Sequence, residues 1–268
     1  MARRSLLGCA ALALVIAAPA LAATTPPGVN IRWDHCYDDG GSLNKAFACD
    51  TNLGSEQLVL SFALGADKPD VTGMEIVVDV TTTGPALPSW WLFRNVGSCR
   101  QSSLTIQIVP PAGSVNCQDW SNGQSAGGIG AYTLGWAGPN TARILAATAV
   151  PIGSAATLSA DNEYFIAQFT INNAKTIGTG SCAGCAEPVC IVFSSLNVTT
   201  PDVNTDQKLS VGANGTNSQF VHWQGASVQG LQLICPSPFR PCSLVYNCVL
   251  ASTPTRSSTW GTVKSLYR

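Results

Sequence analysis

The sequence predicts an all-β protein, an antiparallel β-sandwich stapled by disulfides. Three observations carry that reading. Seven segments alternate apolar and polar residues or run apolar at strand length, clusters of Gly, Pro, Asn and Ser separate them, and ten cysteines follow a leader-like N-terminus. Period two is the mark of a half-buried strand, because successive side chains point to opposite faces.

Leu58, Leu60, Phe62 and Leu64 form the first row. Met74, Ile76, Val78 and Val80 form the second, with Glu75 and Asp79 on the other face. Leu104, Ile106 and Ile108 give a third, ended by Pro110-Pro111. Phe165, Ala167, Phe169 and Ile171 give a fourth, and Ile191 to Val198 a fifth. Phe220 to Trp223 and Leu231 to Ile234 complete the set. Thr141 to Ala149 reads equally as a short helix or an apolar strand. Long helices do not alternate with strands, which disfavours a doubly wound α/β fold. Two antiparallel sheets burying their apolar faces together fit best.

The N-terminus follows the grammar of a secretory signal peptide. Arg3 and Arg4 supply positive charge, Leu12 to Ala18 an uncharged apolar core, and Ala20-Leu21-Ala22 a small-x-small cleavage site. Residues 1–22 are thus expected to be removed. That leaves residues 23–252 as one β domain, secreted to the periplasm, the cell surface or the medium, with no transmembrane segment. Without the two leader arginines, 12 basic residues face 15 acidic ones, so no basic surface recruits nucleic acid. Charged residues make up 11% of the chain, under half the usual ~25%.

The mature chain keeps Cys36, Cys49, Cys99, Cys117, Cys182, Cys185, Cys190, Cys235, Cys242 and Cys248. An even number in an exported chain implies a disulfide framework of unknown connectivity. If Cys36 pairs with Cys49 and Cys99 with Cys117, three cysteines remain in 182–190 and three in 235–248. With all ten oxidised, at least one bridge must then join those two clusters. Cys182-Ala183-Gly184-Cys185 also admits redox or zinc chemistry, but Pro188 and the strand-like Ile191 onward deny it the helix that would activate a thiol.

Three further constellations offer chemistry. Gly123-Gln124-Ser125-Ala126-Gly127 matches the G-x-S-x-G nucleophile pattern, with Asp161 or Asp202 and then His222 in hydrolase order. The pattern works only between a strand and a helix, and neither flank reads that way. Trp90 and Trp91 suggest a sugar-stacking platform, since strand neighbours point to opposite faces and one ring would be exposed. Asp34, Asp38 and Asp39 carry oxygen ligands that suit calcium, although their spacing matches no EF-hand loop and a solvated turn is the plainer reading. No other metal and no cofactor is expected.

Thr253 to Ser258 reads as a linker, and Trp260 to Arg268 as a short amphipathic helix or tail that docks on a partner. Two stretches carry a resemblance. Gly180-Ser-Cys-Ala-Gly-Cys-Ala-Glu-Pro-Val-Cys-Ile-Val-Phe193 and Thr259-Trp-Gly-Thr-Val-Lys-Ser-Leu-Tyr-Arg268 resemble segments of uncharacterised secreted bacterial proteins. Val71 to Val80 and Glu163 to Ile171 look like strands of cohesin-type jelly-roll domains. The likeness implies a binding sandwich. The functional expectation is therefore an exported, non-catalytic structural or ligand-binding protein whose partner is a polysaccharide or another surface protein. Carbohydrate binding through Trp90 and Trp91 is the first alternative, and a serine hydrolase the second.

Overall fold

The structure is a computed structural model that describes residues 25–210, 219–234 and 243–250. The leader (1–22) and the C-terminal linker and helix (253–268) lie outside the described residues, as do Cys235 and Cys242. In chain order the strands are β1 (Gly28–Trp33), β2 (Asn44–Lys45), β3 (Ser55–Ala63), β4 (Lys68–Val71), β5 (Gly73–Thr82) and β6 (Leu104–Gln107). They continue with β7 (Gln118–Asp119), β8 (Ala126–Leu134), β9 (Thr141–Ala149), β10 (Ala156–Leu158) and β11 (Glu163–Asn172). The last are β12 (Val189–Thr199), β13 (Gln207–Ser210), β14 (Phe220–Trp223), β15 (Ala226–Ile234) and β16 (Ser243–Leu250).

One sheet runs β1-β3-β11-β6, with β7 added to β11; the other runs β2-β14-β12-β5-β9-β8, with β13 added to β12. Pairings are antiparallel except for the short β7 on β11 and β2 on β14. The inward rows meet in one core. Ile31, Leu60, Phe62 and Phe169 from the first sheet join Ile76, Val78, Ile191 and Phe193 from the second. This is the sandwich that the period-two rows predict. Thr141–Ala149 resolves as a strand because its Ala142, Ile144 and Ala146 alternate into that core while Leu145 and Ala147 point outward.

Two of the register shifts, on β11 and β12, change where a side chain points. The register of β11 against β3 shifts between Phe165 and Ala167. Ala167, Phe169 and Ile171 therefore face the main core, while Phe165 joins Val59 and Cys36 in a small cluster on the opposite face. The four-residue row read from the sequence is thus split between two faces. The second shift, between Phe193 and Ser195, directs the Ser194 hydroxyl to Asp79.

The outer face of the second sheet is covered in part by the β15–β16 hairpin. Val228 and Tyr246 of the hairpin pack on Val192 and Phe220. Near this cover, Asp79 and Arg143 form a bidentate pair, Nε to Oδ1 at 2.7 Å and Nη2 to Oδ2 at 2.8 Å. The guanidinium lies 3.6 Å from the Trp136 ring centroid. Burial pushes the Asp79 carboxyl up from its ordinary value, with Arg143 and the Ser194 hydroxyl pulling against that.

Among the described residues four disulfides connect segments far apart in sequence: Cys36–Cys117, Cys49–Cys185, Cys99–Cys182 and Cys190–Cys248. This corrects the local pairs Cys36–Cys49 and Cys99–Cys117. β7 lies parallel to β11, which brings the Cys117 loop to Cys36 over Val59 and Phe165. The bridge expected between the two late clusters is present as Cys190–Cys248, although the premise of local early pairs was not its cause. Separations of 58 to 136 residues place each bond at about 4–5 kcal/mol in the chain-entropy account. Four disulfides fit an oxidising compartment. No helix among the described residues is long and apolar enough to cross a membrane.

Candidate functional site

A polar concavity lies on the outer face of the first sheet, beside the Cys36–Cys117 bridge. It measures about 240 Å³ and is lined by Asp38, Asp39, Asn116, Gln118, Asp161 and Glu163, together with Asn162 and Cys117. Three pieces of chain assemble it: the loop after β1, the segment into β7, and the turn entering β11. The parallel β7–β11 pairing sets Gln118 against Tyr164, beside Glu163, and the Cys36–Cys117 bridge ties the loop after β1 to the same place.

Glu163 organises this cleft. It is 9% exposed, and its carboxylate accepts the backbone N–H groups of Tyr37 and Asp38, each at 2.9 Å, and the Ser61 hydroxyl. Burial raises its pKa, opposed by those three donors. Asp38 is also raised by burial, against a backbone hydrogen bond from Thr25, whose hydroxyl donates to the same carboxylate. Asp39 accepts from the Asn116 side chain and lies 3.3 Å from His35 Nδ1. The lining is therefore rich in hydrogen-bond acceptors and poor in cations. Ionised carboxylates only accept, so the cleft suits a ligand bearing N–H or O–H groups.

Sequence reasoning named two of these residues, Asp38 and Asp39, for another purpose, and Asp161 for a third. It missed the position of Glu163, for which a signal existed: a glutamate opening an otherwise apolar strand is a polar group at a core position, and such groups need partners.

The calcium set does not assemble. Asp34 turns away to Lys45, whose ammonium lies 2.8–2.9 Å from both of its oxygens and 3.0 Å from Glu56. Among the described residues no group of three or more His, Cys, Asp and Glu is placed to hold a metal ion.

The nucleophile elbow is absent. Ser125 precedes the strand β8 rather than a helix, and Gln124 before it closes a turn on Ser121. Its hydroxyl donates to the Ile108 carbonyl and accepts from Ser121. His222 is occupied elsewhere, by Asn44 Oδ1 at Nδ1 and by the Val228 N–H at Nε2. Asp202 accepts from the Asn204 N–H, and Asp161 sits in the acidic cleft. Each member of the expected triad thus serves a different local structure.

Trp90 and Trp91 form no sugar platform. They lie in a 3₁₀ turn, Ser89–Trp91, not in a strand, and are 0% and 1% exposed. Trp90 stacks on Trp223 at 5.3 Å and donates its ring N–H to Thr176. Arg100, buried, sits 3.6 Å over the Trp90 ring, and its guanidinium donates to the carbonyls of Trp90, Asn172 and Ala174. Burial lowers its pKa to about 9, so it stays charged at neutral pH. The Trp pair and this cation form a structural plug at the end of the sandwich.

The C-x-x-C is part of the same end. Cys182 bonds the Cys99 loop and Cys185 the Cys49 loop, so neither sulfur is free for redox exchange or zinc within the pair. No protein-family model matches the chain, and no curated protein matches it.

Proposed function

We propose that the protein is an exported, non-catalytic β-sandwich that acts outside the cytoplasm as a structural or ligand-binding module, taking a small polar ligand in the acidic cleft. The observation that carries the proposal is the cleft's lining of four carboxylates and three carboxamides around about 240 Å³. That volume is below the ~300–1,000 Å³ of typical drug-sized pockets, so the ligand is small or is the end unit of a longer one. Hydroxyl and amine groups, as at the terminus of a polysaccharide or an aminosugar, match acceptors of this kind. The carbohydrate reading loses its aromatic platform and keeps only this polar one.

The non-catalytic part is supported by the engagement of every candidate nucleophile and base in local structure. Export is supported by the leader sequence and by the disulfides.

The test is an NMR titration of the ¹⁵N-labelled protein with glucosamine, glucose and a short polyamine. Amide shifts should cluster at Asp38, Asp39, Asn116, Gln118 and Asp161, and Glu163→Gln should weaken them. An absence of shifts at millimolar concentration would sink the ligand-binding reading. Turnover of an ester or glycoside substrate abolished by Ser125→Ala would overturn the non-catalytic one.

A further inference from the structure

His222 holds three elements together through one tautomer. Its Nε2 accepts the Val228 backbone N–H of β15 at 3.2 Å, so Nε2 carries no proton. The proton must then reside on Nδ1, which donates to Asn44 Oδ1 in β2 at 2.9 Å. β14, which carries His222, is thereby tied to its edge strand on one side and to the covering hairpin on the other.

Beside the Gln224–Gly225 turn that leads from β14 into β15, the hairpin is tied to the sheet at two further places among the described residues. Cys190–Cys248 bonds it covalently to the strand opposite His222, since Cys190 is His222's cross-strand partner on β12. Thr81 donates to the Tyr246 hydroxyl at 2.9 Å, and Val228 and Tyr246 pack on Val192 and Phe220. The geometry points to an acid-sensitive latch: we propose that protonation of His222 releases the β15 side of the hairpin from the sheet and bares the apolar strip at Val192 and Phe220. A second proton can enter only at Nε2, where it would oppose the Val228 N–H. One hydrogen bond then becomes two facing donors.

The surroundings contain little that would counter this. On β2 the nearest charge is Lys45, whose ammonium is held by Asp34 and Glu56. On β14 itself Phe220 contributes only a ring, with its centroid 5.1 Å from that of His222. On β12 Cys190 is oxidised, and on β1 Trp33 donates its ring N–H to the His222 carbonyl. Neither β15 nor β16 carries an Asp, Glu, Lys or Arg, and Tyr246 of β16 is pushed well above its ordinary value by burial. Among the described residues the ring nitrogens meet Asn44 and the Val228 N–H, with no carboxylate to stabilise the cation. Burial accordingly lowers the His222 pKa, and the latch opens below the ordinary histidine value.

Amide hydrogen exchange on the full chain, with disulfides intact, tests the latch. Between pH 7.5 and 4.5, after correction for intrinsic rates, protection at residues 226–229 should fall about fivefold or more, as expected for one lost hydrogen bond. Protection in β5 should hold. His222→Gln keeps an acceptor without titrating and should abolish the pH dependence. NMR of the wild type supplies a reading that does not depend on the variant folding: the His222 ring and the Val228 amide should titrate with one shared midpoint. Equal loss of protection in wild type and His222→Gln, or a Val228 amide indifferent to the His222 titration, would overturn the latch.

Discussion

Replacing Arg143 by Met removes the only ion-pair partner of Asp79 among the described residues, and its cost can be bounded from the structure. Asp79 is fully buried and Arg143 is 9% exposed, so neither is freely hydrated. Breaking a buried pair commonly costs about 3–5 kcal/mol, because one charge is left uncompensated. Asp79 can escape by taking a proton. From an ordinary pKa of ~3.9 this costs about 4 kcal/mol at pH 7 and about 1.5 kcal/mol at pH 5. The loss in R143M should therefore lie near 3–4 kcal/mol at pH 7 and shrink on acidification. The sign follows from linkage. In the variant the native carboxyl holds its proton to higher pH than the unfolded chain does, so stability falls as pH rises past ~3.9. The Ser194 hydroxyl remains as a partner in either state. Guanidinium unfolding of wild type, R143M and D79N/R143M at pH 5 and pH 7 measures this, and the double variant should recover at least half of the loss. The reasoning is falsified if R143M loses less than about 1 kcal/mol, or loses the same amount at both pH values.

Other predictions follow from the same geometry. Trp90→Ala empties the stack beneath Arg100 and should cost about 3–5 kcal/mol in chemical denaturation; a cost below ~1 kcal/mol would mean that the plug is not a core. Ser125→Ala removes the two neutral hydrogen bonds of its hydroxyl and should cost about 1–2 kcal/mol in chemical denaturation. Non-reducing peptide mapping should recover Cys36–Cys117, Cys49–Cys185, Cys99–Cys182 and Cys190–Cys248, and a Cys36–Cys49 peptide would contradict the fold. Burial raises both Glu163 and Asp38, so affinity of the cleft for a cationic ligand should already decline at a pH above the ordinary carboxylate value. Calorimetry of a polyamine across pH 4 to 7 would show this, and affinity flat across that range would count against the cleft.

The sandwich was legible because burial on one face imposes period two: Leu58, Leu60 and Phe62 lie in β3, with Leu64 just past its end, and Met74–Val80 lies in β5. Where sequence reading slipped, a specific physical cause is present. The β11 bulge adds a residue, and no composition rule marks the place where Phe165 changes face. β8 was hidden because Gly127, Gly128 and Gly130 carry no side-chain pattern to read. Trp90 and Trp91 were misplaced because a 3₁₀ turn lets adjacent rings face one core, which a strand forbids. The cleft was not legible as a site, since its members come from residues 38–39, 116–118 and 161–163, and the parallel β7–β11 contact, the Cys36–Cys117 bridge and Glu163 gather them.

The reach of the disulfides has a consequence for biogenesis. Thiols become available in chain order as a polypeptide is made, and an oxidant joining neighbours as they appear would link Cys36 to Cys49, Cys99 to Cys117, and Cys182 to Cys185. None of these is a native bond: in the four bridges among the described residues, each partner lies 58 to 136 residues away. Cys49 in particular must wait until Cys185 has emerged, when most of both sheets has been delivered. The chain is thus built to be oxidised late or to be proofread, with mispaired intermediates exchanged through mixed disulfides. A cell that supplies an oxidase without a disulfide isomerase should accumulate scrambled protein, and recombinant yield should depend on the isomerase more than on the oxidase.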